Sequence, residues 1–186
     1  MTDAGRKALL QIARARIAVE VGAVPGVDPP LLGELGRPAG AFVTLHRAGE
    51  LRGCIGEIES IEPVGRVVAR CAAAACTRDP RFTAVTRLEL PELEIELSVL
   101  GPLERWARLD EIEVGRHGLV VEVGRRRGLL LPQVAIEWQW DRLTFVEQTC
   151  TKAGVSLHAW KTGATLWRFE AEVFSERDLG MKDAGS

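Results

Sequence analysis

Leu93-Glu94-Ile95-Glu96-Leu97-Ser98-Val99 alternates apolar and polar side chains without a break. That period fits a strand with one face packed and one wet, and it does not fit a helix. The apolar stretch Ala41–His46 and the turn Arg47-Ala48-Gly49-Glu50 lead into Leu51-Arg52-Gly53-Cys54-Ile55-Gly56, so residues 41 to 58 read as a hairpin. Residues 119 to 123 and 128 to 131 suggest a second hairpin, with Arg125-Arg126-Arg127 at its solvated tip. Thr165 to Phe174 alternates again as a last strand. Hairpins outnumber βαβ units, which favours α+β architecture with a mainly antiparallel sheet and flanking helices.

The helical segments follow from the longer apolar period. Residues 3 to 22 carry a stripe of Leu9, Leu10, Ile12, Ala13, Ile17 and Val21. Pro63 opens a second helix reaching Thr77, whose alanine run permits close packing. Asp79-Pro80 ends it. A short helix is expected within 132 to 140, and Asp141 caps a further one that closes at Gly154. Gly22, Pro25, Gly26, Pro29 and Pro30 break the chain into a connecting loop. Residues 1–4 and 176–186 are expected to fray.

A chain of 186 residues with 46% hydrophobic and 27% charged residues suits one globular domain, here of two lobes. Its net charge of −2 argues against nucleic acid as the main partner. No apolar run reaches the length of a membrane span, and the amino terminus lacks the pattern of an export signal. Cys54, Cys71, Cys76 and Cys150 form no disulfide-rich pattern, which suits a reducing cytoplasm. Neither a metal-ligand spacing nor a dinucleotide or phosphate-loop fingerprint is present, so no cofactor is expected.

The hexapeptide 51–56 is the candidate site. Two glycines inside a strand mark a bulge or a close backbone approach, which is the role expected of Gly53 and Gly56. Cys54 is a candidate nucleophile beside a cation, or a small packed residue. Arg52 either binds a carboxylate or phosphate, or forms an ion pair with Glu57 or Asp79. His117 could act as general base for Cys54, and an ordinary hydrogen-bonded histidine is the alternative. Asp79 and Arg81 flank Pro80 and either fix a turn or share the site. Gln133 could present its amide to a ligand. Trp106, Trp138, Trp140 and Trp167 read as packing residues.

The chain resembles the AMMECR domain family, of the bacterial AmmeMemoRadiSam system protein A type. The hexapeptide is that family's hallmark, and the match continues in order around it. Phe42-Val43-Thr44-Leu45 precedes it. Asp79-Pro80-Arg81-Phe82, Glu94–Leu100, Gly115-Arg116-His117-Gly118-Leu119, Leu130–Ala135, Thr149–Gly154 and Trp160 follow. The resemblance implies an α+β unit with a larger and a smaller lobe forming a cleft. It also implies a grouping with Memo-like and radical SAM proteins, and it supplies no established activity. Three functions stay open: an adaptor to those proteins, a binder of a small anionic ligand, and an enzyme using Cys54 as nucleophile or redox thiol.

Overall fold

The computed structural model describes residues 1–24 and 33–181. Pro25, Gly26, Pro29 and Pro30 of the expected connecting loop, and residues 182–186 of the expected tail, lie outside the described residues. The chain divides into two compact units, Met1–Leu100 together with the C-terminal residues from Glu172, and Gly101–Ala171.

The first unit holds α1 (Asp3–Glu20), β1 (Ala41–Arg47), β2 (Glu50–Glu57), α2 (Val64–Thr77) and β3 (Leu93–Leu100). Strand β1 is central, antiparallel to β2 on one side and to β3 on the other. The expected alternation of β3 is realised: Leu93, Ile95, Leu97 and Val99 are buried, with Glu94 and Glu96 only partly covered. Helices α1 and α2 supply Leu9, Leu10, Ile17, Val64, Val67 and Val68, which complete this core with Val43, Leu45 and Ile95. Ala72 and Ala75, with little side chain, let α2 approach the sheet closely. Cys71 and Cys76 are packing residues in the same layer, and burial pushes both thiols up to about 11.

Within the two segments expected to fray, Thr2 and Glu176 make hydrogen bonds to the fold. Thr2 caps α1, its hydroxyl accepting from the Gly5 N–H at 3.1 Å and donating to Glu34 at 2.8 Å. Glu176 is 3% exposed. It accepts Arg14 Nε at 2.7 Å and the Ile95 N–H at 3.0 Å, while its own N–H donates to the Ile95 carbonyl at 3.0 Å. A buried carboxylate needs such partners, and they fix the chain just beyond the last strand.

The second unit contains β4 (Glu104–Arg105), β5 (His117–Val123), β6 (Arg126–Leu130), α3 (Pro132–Glu137), α4 (Arg142–Lys152) and most of β7 (Thr165–Ser175). Strand β5 pairs antiparallel with β6 and with β7, and β4 adds to β7. Asp141 caps α4 as expected, accepting from the Thr144 N–H at 2.8 Å. Arg126 and Arg127 belong to β6, so the hairpin tip is confined to Gly124-Arg125. Phe145, Leu119, Val121, Ile112 and Trp106 form this unit's core. Trp138 departs from the expected packing role: it is 67% exposed and stacks on Trp140 with ring centroids 6.1 Å apart.

Among the described residues no helix is long and apolar enough to cross a membrane.

Candidate functional site

The hairpin register places Thr44 opposite Cys54 and Phe42 opposite Gly56, then shifts so that Leu45 faces Gly53 and His46 faces Leu51. Arg52 is therefore the extra residue of a β-bulge and has no partner across the ladder. Bulges re-aim side chains, and this one directs Arg52 at the loop that follows α2. Gly53 is required by close approach, because an added Cβ would lie 2.3 Å from the Ala75 carbonyl oxygen of α2. At Gly56 the same atom would meet the Phe42 ring at 2.3 Å. Both approaching groups belong to the glycines' own unit.

Arg52 donates from Nε to Glu89 at 2.9 Å and from its terminal nitrogens to the Thr83 carbonyl at 2.9 Å, the Ala84 carbonyl at 3.4 Å and Glu89 at 3.4 Å. Its ion-pair partner is Glu89, in place of the expected Glu57 or Asp79. Glu57 instead takes Arg70 at 2.6 Å. The Arg52 guanidinium, with the Thr86 N–H and hydroxyl, holds the Glu89 carboxyl down at about 2 although burial opposes this.

Asp79 and Arg81 form the second connection. Asp79 is 4% exposed. Its Oδ2 accepts the Cys54 N–H at 2.8 Å and the Arg81 guanidinium at 2.7 Å. Its Oδ1 accepts the Arg81 N–H at 3.1 Å and Nε at 2.9 Å. The Arg81 side chain keeps the Asp79 carboxyl far below the usual carboxylate range. Arg81 also reaches the Cys54 carbonyl at 3.4 Å, so both main-chain polar groups of Cys54 are engaged by one ion pair. The Cys54 thiol is half-buried and accepts from the Thr44 hydroxyl at 3.3 Å. Among the described residues no histidine bonds to it.

The structure therefore brings Arg52, Gly53, Cys54, Asp79 and Arg81 together and adds Glu89, which the sequence reading missed. Only long-range pairing reveals Glu89, since its neighbours Leu88 and Leu90 give no sign that a carboxylate turns inward. His117 and Gln133 belong to the second unit. His117 is 8% exposed, its Nδ1 accepting the Glu113 N–H at 2.9 Å; burial, then Arg168 and Arg116, lower its proton affinity. It is a neutral, hydrogen-bonded histidine on the wall of a polar concavity of about 570 Å³ shared with Arg116, Arg142 and Arg168. Gln133 sits in the first turn of α3 with a buried Oε1 that has no hydrogen-bond partner among the described residues. No group of metal-ligating side chains occurs among the described residues.

Both inward carboxylates have folded-state pKa values below those of unfolded acids, so they stabilise the fold above roughly pH 4 and lose that effect as pH falls through the folded values. Glu89→Gln is expected to show a smaller stability loss than the parent when urea unfolding is compared at about pH 6 and about pH 3. Identical losses would remove Glu89 from the acid response.

The architecture and this site define an α+β protein organised on a bulged, helix-covered hairpin. The AMMECR1 family model matches residues 10–174, and the chain belongs to that family. It is 43% identical to a protein of Methanocella arvoryzae over 155 residues, covering 77% of each chain. It is 38% identical to a protein of Aeropyrum pernix over 188 residues, covering 96% of this chain and 81% of that one. The crystal structure of an uncharacterized protein from Pyrococcus horikoshii is similar with a TM-score of 0.84 and 38% identity, covering 91% of this chain and 90% of that one.

Proposed function

We propose that this chain is a non-catalytic binding or adaptor component whose recognition surface is built on residues 51–56 and the loop 79–89. Its proposed partners are the Memo-like and radical SAM proteins suggested by the family resemblance. The observation that supports a binding role is the use made of the hexapeptide's polar groups. Arg52 is engaged with Glu89, Thr83 and Ala84, and the Cys54 backbone with Asp79 and Arg81. A guanidinium so occupied holds a surface in shape and leaves little for orienting a substrate. The competing reading, Cys54 as a nucleophile or redox thiol on a small anionic substrate, has the half-exposed thiol in its favour. Among the described residues no base is hydrogen-bonded to that thiol.

The test mixes the purified chain with a purified Memo-like protein and a purified radical SAM protein, and follows complex formation by sedimentation velocity. A complex is expected. Cys54→Ala should preserve its affinity within about twofold, whereas Arg52→Ala should weaken it about tenfold by releasing the loop. No complex with either protein would overturn the partner assignment. Strong dependence on the thiol would favour the enzyme.

A further inference from the structure

We propose that the polar concavity beside His117 binds a small zwitterion of the amino-acid type, its carboxylate taken by His117 and Arg142 and its ammonium by the acids of the wall. The hollow, of about 570 Å³, is lined by residues of the second unit alone. The site therefore goes beyond the recognition surface proposed above and does not depend on it.

His117 is the observation that points to a ligand. It opens β5 and is 8% exposed, yet only one of its ring nitrogens is used. Nδ1 accepts the Glu113 N–H at 2.9 Å, which places the proton of the neutral ring on Nε2. That Nε2–H has no hydrogen-bond partner among the described residues, and the ring stands in the wall of the hollow. A nearly buried donor without an acceptor is unfavourable, and an oxygen brought by a ligand satisfies it.

Arg142 supplies the second donor. It lines the same hollow from the first position of α4, is exposed, and makes no ion pair or hydrogen bond among the described residues. Asp110 stands within its electrostatic reach but is held by Arg108. The other two arginines of the wall are occupied: Arg168 by Glu104 and the Glu111 carbonyl, Arg116 by Glu113 and Glu170. The two groups left over are both donors, and a carboxylate brings a pair of oxygens to such groups.

The wall decides what kind of anion enters. Five acids line the hollow against three arginines, and even with Arg108 beside Asp110 the acids lead while His117 is neutral. A phosphate would add about two negative charges to that surplus. A carboxylate adds one, and an ammonium on the same molecule offsets it. Glu104, Glu113 and Glu170 have side chains 60% exposed despite their arginine partners, and a paired carboxylate keeps lone pairs for a further donor. Ile112 is the only apolar residue of the lining among those described, and it is fully buried, so an apolar ligand body finds nothing to pack on. A small polar amino acid meets these demands together.

The test titrates the intact chain with L-serine and follows the His117 ring and Glu113 amide signals by NMR. Three controls take the molecule apart: ethanolamine is serine without its carboxylate, 3-hydroxypropionate is serine without its ammonium, and inorganic phosphate is the dianion. L-Serine is expected to move both signals saturably with a Kd on the order of 1 mM, about tenfold tighter than any control. Arg142→Gln, at an exposed position without a partner, should leave thermal unfolding unchanged and weaken serine about tenfold. His117→Asn keeps an acceptor for the Glu113 N–H and lacks the Nε2 donor, so the Glu113 signal should no longer respond to serine.

No saturable shift with serine, or a shift that spares His117 and Glu113, would overturn the proposal and leave the hollow to water. Equal binding of ethanolamine would remove the carboxylate contact, equal binding of 3-hydroxypropionate the ammonium contact, and tighter binding of phosphate the zwitterion altogether. Unchanged serine affinity in Arg142→Gln, whose fold the thermal melt checks, would likewise overturn it.

Discussion

Asp79→Ala is expected to destabilise the chain by about 2–3 kcal/mol, the cost of leaving a covered N–H and a half-exposed guanidinium without the carboxylate that bound them. Asp79 satisfies the Cys54 N–H and three donors of Arg81 from a position that is 4% exposed. Removing it leaves a covered N–H without a partner and a guanidinium without its counter-charge. Cys54→Ala, by contrast, loses a half-buried thiol and one weak hydrogen bond, and should cost roughly 1 kcal/mol. Urea unfolding of the two variants checks the ranking. If Cys54→Ala proved the more damaging, the thiol would matter more to this site than the carboxylate beneath it.

The second large effect lies one residue away. Gly53→Ala is expected to cost about 3 kcal/mol, at the upper end for overpacking a closed interior. The new methyl would stand 2.3 Å from the Ala75 carbonyl oxygen and 3.2 Å from its carbon. Those atoms are helix backbone and cannot swing aside, so α2 would have to lift from β2 or the hairpin would have to bend. Gly49→Ala is the internal control. Gly49 has φ +83° in the turn with nothing within 4 Å of an added Cβ, so only backbone strain of about 1 kcal/mol is incurred. Thermal melts of the two should separate clearly, and similar losses would show that α2 yields easily.

What could be read from the sequence depended on how far each determinant reaches along the chain. The alternation of β3, the Asp141 cap and the alanine face of α2 are local or periodic signals, and each becomes the structure it implied. The bulge at Arg52 is different. Its position depends on how two strands pair, and composition gives no sign that Leu45 faces Gly53 while His46 faces Leu51. The hexapeptide was legible as a site, but Glu89 lies 37 positions beyond Arg52 without any periodic sign. Strand β4, two residues long, is too short for a pattern. A large aromatic such as Trp138 reads as a packing residue from sequence because such side chains are usually buried. It is left outside where α3 ends and Gln139 adopts φ +53°.

The ion pair on Cys54 has a consequence for how copies of this chain meet. Strand β2 ends the order β2-β1-β3, so its outward N–H and C=O groups are those on which a foreign strand could grow. Asp79 fills the donor and Arg81 the acceptor at Cys54, in the middle of that edge. A neighbour cannot zip past a position already closed by side chains. Cys54 is synthesised 25 residues before Asp79, and its edge stays open to cross-pairing until that carboxylate arrives. Loosening this contact would therefore expose the chain to aggregation during folding, before any loss of finished stability is felt.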